Sequence, residues 1–164
     1  MSGRNDNTAA ARKAKDDWRT PRWLWDTLNE QYKFTTDCAA SRATALCPHW
    51  CGVDGWHGSV DIRIPKVVWV NPPFSQPSMI TENWLLYLRR IGIYRADNLE
   101  TKVWQEIILP NVDWVFFFSK RINYEGHDGK GAMFPSALFG SGLPPPIGLN
   151  GRIMWMDRRT YEFQ

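Results

Sequence analysis

The strongest constraint on the fold is a short apolar run that is followed at once by two prolines. Val67-Val68-Trp69-Val70 is continuously apolar, and Asn71-Pro72-Pro73-Phe74 comes directly after it. A four-residue apolar run bounded by turn residues predicts a strand buried on both faces, as in a parallel sheet. Proline cannot donate to the sheet ladder, so the strand must end there. Because open α/β sheets bind ligands beyond such strand ends, the sequence predicts a site at residues 71–74.

The rest of the chain alternates predicted helices with predicted strands. Thr20 followed by Pro21 is typical of a helix start, with the hydroxyl as cap and proline in the first turn. This helix is predicted to reach about residue 32. Residues 42–65 are rich in glycine and are predicted to be irregular. Further helices are predicted at 78–90 and 99–109, and strands at 34–37, 114–118, 135–139 and 152–156, the last at an edge. This alternation predicts an α/β fold.

Length and charge narrow the class of protein. The 164 residues fit one domain, predicted at residues 17–164 behind a mobile polar tail at residues 1–16. A net charge of +3 is compatible with a polyanionic partner without requiring one. No apolar run approaches the length of a membrane span, so no membrane partner is expected. Three cysteines behind a polar N-terminus predict a cytoplasmic protein with reduced thiols.

The tetrapeptide at residues 71–74 offers two oxygen acceptors beside a flat ring. The prolines stiffen the turn, so the Pro72 carbonyl and the Asn71 side-chain oxygen can point at one guest group. The amino group of adenine is a poor nucleophile because its lone pair is delocalised into the ring. Two acceptors on its hydrogens localise that lone pair and stabilise the charge that grows during methyl transfer. The Phe74 ring offers a flat face on which an extruded base can stack, and such stacking contributes ~1–3 kcal/mol per base. The alternative is a purely structural turn.

Further blocks of distinctive sequence follow one another over roughly residues 17–140. They are Asp17-Trp18-Arg19-Thr20-Pro21-Arg22-Trp23-Leu24, Phe34-Thr35-Thr36-Asp37-Cys38-Ala39-Ala40-Ser41, Cys47-Pro48, Asp54-Gly55, residues 67–75, Arg95-Ala96-Asp97, Thr101-Lys102 to Trp104, Arg121-Ile122-Asn123-Tyr124 and Gly131-Ala132-Met133-Phe134-Pro135-Ser136-Ala137. In this order the blocks resemble the phage-type DNA N6-adenine methyltransferases, the Dam family of bacteriophages. Several blocks in order are more specific than any one of them.

The resemblance implies a Rossmann-like methyltransferase fold, S-adenosylmethionine as donor, double-stranded DNA as acceptor and N6-methyladenine as product. It also implies a site-specific enzyme that shields phage DNA from restriction in the cytoplasm of a bacterial host. Because residues 37–67 are few for two further helix–strand units, the sheet is expected to be compact, reduced or rearranged.

The resemblance also implies a donor pocket. Asp37, Ala39 and Ser41 line it, and a turn of small residues lets the backbone approach the methionine part of the donor. Asp37 can pair with the donor's ammonium group, and Thr20 and Pro21 close the pocket from the other side. Asp54 is the expected partner of the ribose hydroxyls by family position, and Asp61 is the rival.

Two other groups of side chains bear on function. Arg95, Lys120, Arg121 and Lys130 are candidate DNA-binding residues, against the alternative of a solvated basic face. The set Cys38, Cys47, His49 and Cys51 invites a zinc hypothesis, but its spacing does not match a zinc knuckle, so buried thiols and no metal are predicted. Two functions compete with the enzyme: a catalytically inactive relative that only binds DNA, and a small zinc protein built on these cysteines.

Overall fold

The computed structural model describes residues 16, 18–52, 55–57, 66–78, 83–126 and 134–156. This part of the chain forms one mixed sheet with helical segments on its two faces, so the protein is an α/β protein. Its helix α1 spans Arg22–Tyr32. The eight strands of the sheet are β1 (Thr36–Asp37), β2 (His49–Gly52), β3 (Gly55–His57), β4 (Val67–Val70), β5 (Arg89–Arg95), β6 (Trp114–Phe118), β7 (Ser136–Ser141) and β8 (Gly151–Trp155). A π-helical segment at Val103–Ile108 continues into a 3-10 turn at Leu109–Asn111.

The strand order is β3-β2-β1-β4-β5-β7-β6-β8. Strands β2, β1, β4 and β5 are parallel neighbours. The remaining pairs are antiparallel. As a result, the carboxyl ends of β1, β4, β5 and β6 and the amino end of β7 meet at one edge of the sheet. This edge carries Asp37, Asn71 and Arg95, and every site described below is built on it.

Two apolar layers cover the sheet because successive side chains of a strand point to opposite faces. On β4, Trp69 packs with α1, whose buried side chains are Leu24, Trp25, Leu28 and Tyr32. Val68 and Val70 face the other layer, where Trp84, Trp104 and Ile108 are fully or almost fully buried. The predicted two-sided burial of residues 67–70 is confirmed. No helix within the described ranges is both long enough and apolar enough to cross a bilayer.

Helix α1 ends where predicted but begins differently. Pro21, not Thr20, is its N-cap residue, and no side chain caps the first turn. The predicted cap at Thr20 is therefore wrong, because the Thr20 hydroxyl is bonded to another segment of the chain. At the other end, Lys33 takes the left-handed conformation with φ 53°, and its N–H donates to the Asn29 carbonyl at 3.0 Å.

The prediction of an irregular segment at residues 42–65 is wrong in part, and its residues 53, 54 and 58–65 lie outside the described residues. Strands β2 and β3 form a hairpin there, with Cys51 paired to Trp56. The sequence between residues 37 and 67 was judged too short for two helix–strand units. The described part of this segment instead contains a short antiparallel hairpin. The described residues already supply eight strands, so the sheet is not reduced in strand number. It is rearranged, because the β2–β3 pair is an antiparallel hairpin and not a helix–strand unit.

The predicted helix at residues 78–90 is wrong from residue 85 onward, because residues 85–88 form turns and a bend and residues 89 and 90 begin β5. Residues 79–82 of that prediction lie outside the described residues. The Arg90 guanidinium donates to the Leu85 and Tyr87 carbonyls at 3.2 and 2.6 Å, so it satisfies carbonyl groups that a longer helix would have bonded internally. Helical structure at 99–109 is confirmed only from residue 102 onward. The strands predicted at 114–118, 135–139 and 152–156 are confirmed within one or two residues at each end, the last as edge strand β8.

Candidate active site

A cavity of about 970 Å³ opens at the edge where β1 and β4 end. These two strands are hydrogen-bonded neighbours, with Asp37 opposite Trp69, so Asp37 and Asn71 lie on the same wall. The cavity is lined by Asp16, Trp18, Arg19, Thr20, Asp37, Ala39, Ala40, Ser41, Ala43, Thr44, Ala45, Leu46, Trp69, Asn71, Pro73, Gln76, Glu125 and Gly126. A space of this size is in the range of pockets for drug-sized ligands.

Asp37 places a buried carboxylate on the cavity wall. Its two oxygens accept the backbone N–H groups of Ala39 at 3.3 Å and Leu46 at 3.2 Å. Only 4% of the residue is exposed. Burial raises the pKa of the carboxyl to about 6, although the two N–H donors lower it. No cation from the described ranges pairs with it, so a cationic guest would relieve a real electrostatic cost.

The turn after β1 exposes backbone to the cavity. Residues 39–45 carry small side chains at Ala39, Ala40 and Ser41, all of which line the cavity. Gly52 of β2 lies directly against this turn, and a Cβ built there would come within 2.1 Å of the Ala40 carbonyl oxygen. Glycine at position 52 therefore allows β2 to approach the turn that forms the cavity floor.

The amide of Asn71 is held in a defined orientation. Its Nδ2 donates to the Thr20 hydroxyl at 3.2 Å and faces the Trp18 carbonyl at 3.4 Å. A carbonyl can only accept, so the NH2 group must be the end of the amide that faces Trp18. No described residue donates to Oδ1. The arrangement leaves this oxygen available as an acceptor at the cavity.

Residues 16 and 18–20 form a strap that lies against Asn71 at the edge of the sheet. Arg19 and Glu125 exchange backbone hydrogen bonds at 2.9 and 3.0 Å. Asp16 accepts the backbone N–H of Ser75 at 3.0 Å and also its hydroxyl. The strap is thus tied to the segment after β4 and to the loop after β6. Asp16, which the sequence placed in the polar tail, belongs structurally to this strap; residues 1–15 lie outside the described residues.

Phe74 belongs to an aromatic cluster beside the cavity. Its ring meets Phe134 edge to face at 5.0 Å and Trp18 at 5.9 Å, and Trp18 stacks on Phe134 at 5.3 Å. The Arg95 guanidinium lies 5.8 Å from the centre of the Phe74 ring and is paired with Asp97. The ring is therefore half-buried, with strand-end side chains around it.

The structure brings together six of the predicted site residues on the cavity wall: Thr20, Asp37, Ala39, Ser41, Asn71 and Pro73. Pro72 is buried next to Asn71, and Pro21 is buried at the start of α1; neither is among the residues that line the cavity. Lys120 and Arg121 are exposed on the loop after β6. Asp54, its rival Asp61, and Lys130 lie outside the described residues.

Several lining residues were missed at the level of sequence. Trp18 and Arg19 line the cavity through the strap, Trp69 through β4, and Glu125 through the loop after β6. For Trp18 and Arg19 a signal was present, because both belong to the sequence block at residues 17–24, which contains the predicted helix start. Glu125 lies 106 positions from its bonding partner Arg19 and has no local signal.

The three cysteines lie near this turn as free thiols. Cys38, Cys47 and Cys51 are all buried, which confirms the prediction of buried thiols. A hydrogen bond with Cys51, together with burial, raises the pKa of the Cys38 thiol. Among the residues that the structure describes, no group of three histidine, cysteine or acidic side chains is placed to hold a metal ion.

The fold and the cavity together define a class: an α/β protein with a cavity beyond the carboxyl ends of adjacent parallel strands, where proteins of this class bind ligands. The family model for DNA N-6-adenine-methyltransferase (Dam) matches residues 7–133. The chain therefore belongs to the Dam family of DNA adenine methyltransferases, as its sequence blocks indicated. Neither the curated proteins nor the solved structures contain a match to the chain.

Proposed function

We propose that this chain is an active, site-specific methyltransferase that moves a methyl group from S-adenosylmethionine to N6 of adenine in double-stranded DNA. The observation that carries the proposal is the Asn71 amide. Its NH2 group is bonded to Thr20 and faces the Trp18 carbonyl, which leaves its oxygen free to accept beside a ligand-sized cavity. A structural turn would not need an acceptor left open in this way.

A Rossmann-like methyltransferase fold is supported by the order of the strands. The parallel run β2-β1-β4-β5 has the order of the central strands in the doubly wound sheets that bind nucleotides, and β3 extends it as an antiparallel strand. In those sheets the ligand sits at the switch point, where the strand order reverses. Here the switch point falls between β1 and β4, which are the two strands that carry Asp37 and Asn71.

The donor fits the part of the cavity around β1. The buried Asp37 carboxylate lacks a cation partner in the described part of the chain, and the donor's ammonium group supplies one. The small side chains of residues 39–41 let the donor approach the backbone. Thr20 lies across the cavity, with Pro21 packed behind it, and Asp54 remains the candidate for the ribose hydroxyls. When bound, the donor supplies an electrophilic methyl group on its sulfonium sulfur.

The acceptor chemistry falls to residues 71–74. Asn71 Oδ1 and the Pro72 carbonyl accept the two hydrogens of the adenine amine, which localises its lone pair and stabilises the charge developed in the transition state. Pro73 stiffens the turn, and the Gln76 N–H closes it by donating to the Pro73 carbonyl at 3.0 Å. Phe74 stacks on the extruded base.

We assign DNA contacts to the cations around the same edge. Arg95 lies over Phe74, so it stands closest to the target base, while Lys120 and Arg121 are exposed farther along the edge. Lys130 completes the set as a sequence-based assignment. In a phage, the product would protect viral DNA from restriction inside the cytoplasm of the host.

The test is to incubate the purified chain with labelled S-adenosylmethionine and unmethylated plasmid, and to analyse the nucleosides. The proposal predicts that the label appears in N6-methyladenine. It also predicts that the methylated adenines, mapped by cleavage of the plasmid, lie in one defined sequence. An inactive relative that only binds DNA would shift the plasmid in a gel yet yield no labelled nucleoside. Label in a cytosine product would refute the assigned acceptor.

A further inference from the structure

We infer that a second groove beside the active site, formed by Trp23 with Lys120 and Arg121, binds the DNA strand that flanks the target adenine. This inference rests on the proposed function and names a DNA-contacting surface of the same enzyme. The groove has a volume of about 350 Å³ and lies between the start of α1 and the loops at the end of β6. It is lined by Trp23, Phe118, Ser119, Lys120, Arg121, Ile122, Gly148, Leu149 and Asn150.

The charge of this groove fits a polyanion. Its two charged lining residues, Lys120 and Arg121, are both cations, and no acidic residue from the described ranges lines it. Both side chains are exposed and can reach phosphate groups. An acidic peptide or a second copy of the chain would account for the cations but not for the aromatic ring beside them, whereas a nucleic acid strand offers phosphates and flat rings together.

Trp23 provides the aromatic element. It lies in the first turn of α1 with 53% of its surface exposed, although tryptophan usually packs inward. An exposed indole beside cations can stack on a base or pack against a deoxyribose. We assign Trp23 this role against the strand held by Lys120 and Arg121.

Hydrogen bonds between two loops hold the walls of the groove in place. The Ser119 N–H and hydroxyl both donate to the Asn150 carbonyl, at 3.0 and 3.1 Å, and so join the two loops. Gly148 takes a positive φ of 75°, and a Cβ built there would meet no atom within 4 Å. A strand can therefore approach the backbone at this point without a clash.

The groove lies close to the active-site cavity, because both are built on the same two segments of the chain. Trp23 follows Thr20 by three residues, and Arg121 precedes Glu125 by four; Thr20 and Glu125 both line the cavity. The Arg19–Glu125 backbone pairing holds the two segments side by side. Four residues span at most about 14 Å, and a DNA strand rises about 3.4 Å per nucleotide. The groove therefore lies within a few nucleotides of the target adenine.

The test compares three variants for binding to an unmethylated duplex across about 50 to 200 mM salt. In the double variant Lys120→Ala/Arg121→Ala, the slope of log affinity against log salt should become less steep by about two. Each lost phosphate contact removes about 0.9 from that slope. Trp23→Ala should weaken binding about tenfold with the slope unchanged, because stacking involves no counterion. Trp155→Ala is the matched control, since Trp155 is 66% exposed on β8 opposite Trp114, at the other end of the sheet.

Donor affinity, measured in the same proteins by calorimetry, should stay unchanged and shows that each variant is folded. Unchanged DNA affinity in Trp23→Ala, or an unchanged slope in the double variant, would overturn the inference. An equal loss in Trp155→Ala would overturn it as well, because any exposed tryptophan would then serve. Binding needs no turnover, so a chain that binds DNA through this groove without methylating it would refute the proposed function alone.

Discussion

Replacing Thr20 by valine tests how the orientation of Asn71 is maintained. The Thr20 hydroxyl accepts a hydrogen bond from Asn71 Nδ2 at 3.2 Å, and only 4% of the threonine is exposed. Valine keeps the shape of the side chain but removes the acceptor. The amide is then held only by the longer contact to the Trp18 carbonyl at 3.4 Å. The NH2 group can turn toward the cavity, where the adenine amine needs an acceptor.

The size of the effect follows from one hydrogen bond. A typical bond of this kind contributes about 0.5–1.5 kcal/mol, and 1.4 kcal/mol corresponds to a tenfold change in a population. We therefore expect Thr20→Val to lower kcat by about two- to tenfold. Thr20→Ser restores the acceptor and should recover most of the activity. Removal of Asn71 itself should cost far more, because an acceptor on the reacting group is lost.

The assay separates this positioning role from a role in donor binding. Steady-state methylation of a saturating duplex, run at a series of donor concentrations, gives kcat and the donor KM. Positioning predicts a lower kcat with a nearly unchanged donor KM in Thr20→Val. A raised donor KM with kcat intact would mean that Thr20 acts as a donor contact only, and the orientation argument would fail.

Three further predictions concern the cavity and the cluster beside it. The pKa of Asp37 is higher in the folded protein than in the unfolded chain, so the ligand-free protein loses stability as the pH rises from about 4 to 6. The ionised carboxylate is the form that binds a cation. Donor affinity should thus rise about tenfold between pH 5 and pH 7; calorimetry that shows a flat profile would contradict the assigned pairing. Gly52→Ala should destabilise the fold by about 1–3 kcal/mol, because its Cβ would lie 2.1 Å from the Ala40 carbonyl oxygen; an unchanged thermal midpoint would show that the turn shifts freely. The wild type should bind a duplex with a mispaired target adenine more tightly than a paired duplex, and Phe74→Leu, which keeps much of the packing volume, should reduce this difference while its affinity for the paired duplex changes little. If fluorescence anisotropy gives the same difference for both proteins, Phe74 does not take part in base capture.

The elements that the sequence predicted correctly are those whose signal is local. Residues 67–70 are apolar on both faces because β4 lies between two parallel neighbours, and the following prolines mark its end. Helix α1 has an apolar stripe of four buried side chains. The strand at Trp114–Phe118 is an uninterrupted apolar run. In each of these three elements, the order of apolar residues is enough to indicate which faces are buried.

The elements that were missed depend on distant contacts. Strand β5 begins and ends with arginines, and its central Gly92 is needed because a Cβ would come within 2.7 Å of Val70 and closer still to Phe139. Neither feature is typical of a strand. The hairpin β2–β3 is too short and glycine-rich to show a period.

The candidate site divides in the same way. Asn71 and Asp37 follow strand ends, so their position could be predicted from the sequence. The hydrogen bonds that orient Asn71 come from a strap that lies about 50 positions earlier, with separations of 53 and 51 residues. No local pattern encodes that contact. The cluster around Phe74 likewise combines Trp18 and Phe134, which meet only in the folded chain.

The most direct measurement of the central claim is the single-turnover rate of methyl transfer with both substrates bound at saturation, in the wild type and in Asn71→Ala. If Oδ1 of Asn71 accepts a hydrogen of the adenine amine in the transition state, the rate falls by about 10²- to 10³-fold while both dissociation constants stay nearly constant. A variant that transfers the methyl group at the wild-type rate would show that the amine is activated elsewhere.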